Sequence, residues 1–138
     1  MSAKCAILIV NGGNSPHANR WVELCLHKIA AHTQYPHYQI YVWNNRSEDP
    51  ALEAWLLAQP RLTLLSAASY ETLHHPHRTP LQRLYHLARQ EGANYIVTMD
   101  SDAHPLRSGW LTELLTKLDE GAAVAGVWRA EMASAIRP

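Results

Sequence analysis

The chain reads as an α/β domain on a mostly parallel sheet with helices on both faces. Three observations predict this. Short apolar runs alternate with stretches of helical periodicity in the order βαβαβαβαβ. The first run, Cys5 to Val10, is apolar without alternation, as suits a strand buried on both faces. Prolines and glycines fall where such elements start and stop.

Taken in order, Cys5 to Val10 is the first strand, and Asn11-Gly12-Gly13-Asn14 breaks it. Ser15-Pro16 supplies an N-cap and a first helical position. Trp21, Val22, Leu24, Cys25, Ile29 and Ala30 then form an apolar face, up to Tyr35-Pro36. Gln39 to Trp43 is β-branched and aromatic, hence a second strand. After the polar turn Asn44 to Asp49, Asp49-Pro50 caps a helix carrying Leu52, Trp55, Leu56 and Leu57, and Gln59-Pro60 stops it. Arg61 to Leu65 is a short third strand. Ser66 to Thr79 is irregular. Thr79-Pro80 opens a helix to about Gln90, with Leu81, Leu84, Tyr85, Leu87 and Ala88 inward and Gly92 as its stop. Tyr95 to Met99 is the fourth strand. Ser108 caps a helix with Leu111, Leu114, Leu115 and Leu118 inward, Gly121 ends it, and Ala122 to Trp128 is a fifth strand.

The 138 residues suit a single domain spanning 1–138, with a real core. Twelve basic and twelve acidic residues balance. There is no basic stripe for nucleic acid, no signal-peptide pattern and no apolar run of membrane-spanning length, so a cytoplasmic protein is expected. Cys5 and Cys25 are far apart, lie in apolar segments and read as buried free thiols. The sequon Asn45-Arg46-Ser47 reads as accidental.

Chemistry concentrates at Asp100-Ser101-Asp102, directly after the fourth strand. In extended backbone, residues i and i+2 point to the same side. Two carboxylates are thus delivered to the carboxyl end of a buried strand, the edge where open α/β sheets bind ligands. Mg²⁺ or Mn²⁺ relieves their repulsion and completes its shell with water and phosphate oxygens. The plainer alternative is a capping Asp beside a solvated one.

With Asn11-Gly12-Gly13-Asn14 after the first strand and Asn44-Asn45-Arg46-Ser47-Glu48-Asp49 after the second, this motif resembles the donor-binding half of GT-A-fold glycosyltransferases. The nearest type is the large inverting family that includes cellulose and chitin synthases. Its strand ends carry T-x-Y-N-like, D-N-G-S-x-D-like and D-x-D turns; the first two are matched loosely and in part, the third fully. The resemblance implies a GT-A-like, Rossmann-like nucleotide-binding fold. It also implies transfer of a sugar from a UDP- or GDP-sugar to an acceptor hydroxyl, with inversion. Asp102 would hold Mn²⁺ or Mg²⁺ on the donor diphosphate, and Asp100 would support the metal or contact the ribose. Asn44 would face the base, and Asn11 and Asn14 would line the same pocket.

The departures bear on specificity. Asn44 replaces the family's usual Asp; its carbonyl accepts from a uracil N–H, while its amide can donate to another base. Gly13 stands where an aromatic is frequent, and Arg46 replaces a turn Gly. The family's acceptor-binding part, roughly another hundred residues, would supply the general base, whereas Pro138 follows soon after the fifth strand and Glu131 is the late carboxylate. A truncated form, a minimal enzyme and a non-catalytic nucleotide-sugar or metal-binding module that pairs with another chain are the expectations this leaves, with a partner chain or a homo-oligomer as the assembly. Nucleotidyl transfer is weaker, because Asn11 to Ser15 holds no phosphate-gripping Lys or Arg.

Other groups carry less. His74, His75 and His77 match no standard zinc spacing, and His104 reads as a turn residue before a metal ligand. Trp21, Trp55 and Trp110 read as core; Trp43 and Trp128 are open between core and pocket wall.

Overall fold

The computed structural model describes residues 3–12, 17–46, 48–66 and 77–126. Four strands, β1 (Cys5–Asn11), β2 (Tyr38–Asn44), β3 (Leu62–Ser66) and β4 (Tyr95–Thr98), alternate with α1 (Ala18–His32), α2 (Pro50–Leu57), α3 (Arg78–Gln90) and α4 (Trp110–Asp119). The strands pair in the order β3-β2-β1-β4, all parallel. The expected α/β class holds, with every described pairing parallel rather than most.

Alternate residues of β1 divide the core. Cys5, Ile7 and Ile9 face Val22, Cys25, Leu26 and Ile29 of α1, Leu52 and Leu56 of α2, and Leu111 and Leu115 of α4. Ala6, Leu8 and Val10 face Leu84 and Ala88 of α3, with Tyr41 and Trp43 of β2 beside them. Helices therefore cover both faces, which is why β1 is apolar without alternation. The α3 crossover returns the chain from β3, past β2 and β1, to β4. The strand order thus reverses between β1 and β4, the position where open α/β sheets bind ligands.

Several starts and stops follow the sequence. Pro50 opens α2, and the Asp49 side chain accepts from Leu52 N at 3.0 Å. Gly92 at φ 86° and Gly121 at φ 103° follow α3 and α4. That backbone region is open to glycine at little cost. The Asp49 carboxyl is held below its usual range, mainly by the backbone hydrogen bond from Leu52 and then by the Asn19 side chain. A lowered folded pKa gives stability that is full above the unfolded value, about 3.9, and lost as pH falls through the folded one. Asp49→Asn keeps a capping oxygen and removes this titration, so its denaturation midpoint is expected to fall less on acidification below about pH 4 than the parent's.

Other expectations are corrected. Residues 122–126 form no strand; the rest of the proposed fifth strand, with Trp128, lies outside the described residues, as do Ser15-Pro16. Helix α1 begins at Ala18 after His17. Gly109, at φ 79°, rather than Ser108, is the N-cap residue of α4 and makes no side-chain cap. Its amide donates to Gln34 Oε1 at 3.0 Å, which ties α4 to the end of α1. Of the expected inward residues, Trp21 is 46% exposed, and Leu24, Ala30, Leu57 and Tyr85 are also exposed. In α1 the buried set is Ala18, Val22, Cys25, Leu26 and Ile29, a narrower stripe displaced from Trp21 and Leu24. Trp55 and Trp110 pack against the core, half-buried.

Both cysteines are free and buried, as expected. Burial pushes each thiol up to about 12, and the Asp102 charge adds to the rise at Cys25. The thiolate is the reactive form. Neither is therefore expected to react with a thiol-exchange reagent near pH 8 until denaturant exposes both, which a labelling time course followed by mass spectrometry checks.

Candidate functional site

The ends of β1, β2 and β3 fall on one rung: Asn11 pairs with Asn44, and Asn44 with Ser66. These are the buried polar residues of the described chain. Three neighbouring strands thus change from apolar to polar at the same level. Asn11 Nδ2 donates to Asn44 Oδ1 at 3.1 Å, and the Arg46 backbone N–H donates to the same oxygen at 3.1 Å. Asn45 N donates to Asn11 O at 2.8 Å, joining the two loops through backbone. They lie so close that a Cβ at Gly12 would meet Asn45 Cβ at 3.2 Å. A side chain at Gly12 would require Asn45 to give by a few tenths of an ångström.

The Asn44 carbonyl is thus engaged twice within the protein. Asn11 Oδ1, by contrast, is buried with no hydrogen-bond partner among the described residues. A buried acceptor left unpaired costs on the order of 1–3 kcal/mol. It is a place where a donor from a ligand would be repaid.

The two carboxylates lie across β1. Met99 N donates to Leu8 O at 3.0 Å, extending the β1–β4 ladder to the residue before Asp100. Ala103 N then donates to Asp100 O at 3.0 Å and closes the turn. Asp100 and Asp102 are both exposed. The turn overlies the α1 face of the sheet, where Cys25 Sγ meets Met99 Sδ at 3.8 Å and feels the Asp102 charge. His104 is half-buried, with Nδ1 3.2 Å from Pro105 O, to which it donates in the Nδ1–H tautomer.

Among the described residues no group of three or more His, Cys, Asp or Glu is arranged around a metal position. Two exposed carboxylates without a third protein ligand do not suit a resident structural metal. They do fit a hard cation that takes one or two carboxylates and fills its shell with water and phosphate.

The remaining candidates fall as follows. Asn14 and the histidines at 74 and 75 lie outside the described residues, and His77 is exposed just before α3. Arg46 is not a solvent-facing turn residue: its side chain is 19% exposed, with Nη2 3.9 Å from Glu48 Oε1. Trp43 is wholly buried, its Nε1 donating to Asn45 Oδ1 at 2.9 Å, so it supports the loop from below. Sequence reading missed an open hollow of about 370 Å³ lined by His17, Arg20, Trp21 and Leu24 at the start of α1. Its signal is a Trp one turn after a helix start, which on periodicity alone reads as core.

Solved structures share this architecture. S. aureus TarS, residues 1–349, superimposes with a TM-score of 0.62 over 92% of this chain, at 15% sequence identity. Its complex with UDP-GlcNAc gives 0.59 over the same share, also at 15% identity. The chain has a GT-A-like fold. It spans 39% of the length of the first TarS structure and 37% of the second. No protein-family model matches the chain, and no curated protein does. Among the described residues no helix is long and apolar enough to cross a membrane.

Proposed function

We propose that the chain binds a nucleotide-sugar through its diphosphate and moves the sugar to an acceptor hydroxyl. The observation that carries this reading is a carboxylate pair, Asp100 and Asp102, at the end of β4, beside β1 where the strand order reverses. The fold likeness to TarS, one of whose structures holds UDP-GlcNAc, supports the ligand class.

In this reading Asp102, with Asp100 beside it, holds Mn²⁺ or Mg²⁺ against the diphosphate. The ion supplies Lewis-acid stabilisation of charge on the leaving group. The Asn11 Oδ1 acceptor would take an N–H of the base or an O–H of the ribose. Asn44, wholly buried with its carbonyl engaged within the protein, orients Asn11 through their 3.1 Å bond rather than meeting the base itself. The acceptor oxygen bonds to the anomeric carbon, the bond to the diphosphate breaks with its electron pair leaving on the diphosphate, and inversion results. The hydroxyl proton goes to a general base, and the late carboxylate Glu131 lies outside the described residues.

The second reading is a donor-binding module that pairs with another chain. Calorimetric titration of UDP and of GDP, each with and without Mn²⁺, tests what both readings share. Manganese-dependent binding of one nucleotide is expected; no binding of either sinks both. Hydrolysis of the matching nucleotide-sugar then separates enzyme from module.

A further inference from the structure

Two sulfurs meet where the carboxylate turn leaves the sheet. The Cys25 thiol of α1 donates to Met99 Sδ at 3.8 Å. Met99 is the residue before Asp100, and its N–H donates to Leu8 O at 3.0 Å. Its backbone is thus fixed to β1 and its side chain to α1. The segment Asp100-Ser101-Asp102 departs directly from this double anchor, and the Asp102 charge is felt at Cys25.

The two sulfurs differ in reactivity. Cys25 is wholly buried, and burial holds its thiol protonated. Met99 is half-buried, packed against the apolar cluster that joins β1 to α1, α2 and α4. A thioether needs no ionisation to react with a peroxide. Its product, the sulfoxide, is polar and carries an acceptor oxygen. The group facing Met99 Sδ is a thiol, a weak donor. An acceptor among apolar side chains without a good donor is unfavourable, so the oxidised side chain gains by turning to water. The anchor on α1 is then lost.

We propose that Met99 is a redox switch for the carboxylate turn: a peroxide converts its thioether to the sulfoxide, the side chain leaves Cys25, and the Asp100-Ser101-Asp102 turn opens. In that step the O–O bond of hydrogen peroxide breaks and one oxygen bonds to a sulfur lone pair. The sulfur is oxidised by two electrons, and the other oxygen leaves as water. The accompanying loss of nucleotide binding rests on the proposed donor site; the opening of the turn does not.

The test treats the protein with hydrogen peroxide and follows oxygen gain at Met99 by mass spectrometry. The Ala103 N–H, which closes the turn on Asp100 O, is expected to exchange with solvent roughly tenfold faster once Met99 is oxidised. Manganese-dependent nucleotide binding is expected to weaken by a similar factor. A methionine sulfoxide reductase with a dithiol should reverse both changes. Met99→Leu, similar in volume, is expected to show no response of either readout to peroxide. Met99→Gln, polar from the outset, should resemble the oxidised parent. Three results would overturn the switch. Met99 could resist peroxide in the folded protein while reacting in denaturant. Its sulfoxide could leave Ala103 as protected as before. Met99→Leu could respond to peroxide as the parent does. If neither nucleotide binds the untreated protein, the donor reading falls by itself, and Ala103 exchange still decides the switch.

Discussion

Replacing Trp43 by alanine is expected to cost the fold about 3–5 kcal/mol. The side chain is wholly buried at the end of β2, among Leu84, Ala88 and Val10 on the α3 face. Truncation leaves a cavity in the smaller of the two core clusters, where α3 is the single described helix able to move in. A domain of this size has roughly 5–15 kcal/mol in hand, so the variant forfeits a large share of it. Chemical denaturation should show a lower midpoint at an unchanged slope. Trp21→Ala is the internal contrast. With nearly half of that ring in water, the change should stay within about 0.5–1 kcal/mol. Equal losses at the two positions would contradict the orientation of α1.

Asp102→Ala is expected to weaken manganese-dependent nucleotide binding by roughly 100-fold, about 2.7 kcal/mol. Removal of a metal-held carboxylate takes away the cation as well as a side chain, so chelation of Mn²⁺ from the parent protein should produce a similar loss. Asp100→Ala should cost less, about tenfold, as fits a supporting role. Asp102 is exposed, and its removal should leave thermal stability within about 0.5 kcal/mol. That separation of binding from stability is the useful readout. Unchanged affinity in Asp102→Ala would mean that the carboxylates form an ordinary turn. Loss of binding together with loss of fold would point to a structural role.

The fold was legible where local chemistry agrees with burial. Unalternating β1, the Asp49-Pro50 cap and the glycines after α3 and α4 all specify their positions without reference to the rest of the chain. What could not be read depends on neighbours. Apolar residues occupy more of the α1 circumference than the sheet covers, so periodicity alone cannot tell that Leu26 goes in and Trp21 stays out. Ser108 has the chemistry of a cap, but the left-handed turn at Gly109 displaces it. At the site, the sequence indicated which strand ends carry polar groups. It could not indicate that Asn44 would be satisfied within the protein and Asn11 left with an open acceptor, because that depends on the register of β1 against β2.

The strand order also sets a timetable for assembly. Asn11 finds Asn44 across 33 residues, whereas the bond from Lys4 N to Asn94 at the root of β4 closes a separation of 90. Longer closures sacrifice more chain entropy before any contact compensates. The β1–β2 pairing is therefore expected to precede the docking of β4, and pulse-labelled hydrogen exchange during refolding should protect Ile40 to Trp43 before Ile96 to Thr98; the reverse order would refute this. A nascent chain would then possess its asparagine pair early and bring its acidic turn alongside only in the closing step of folding.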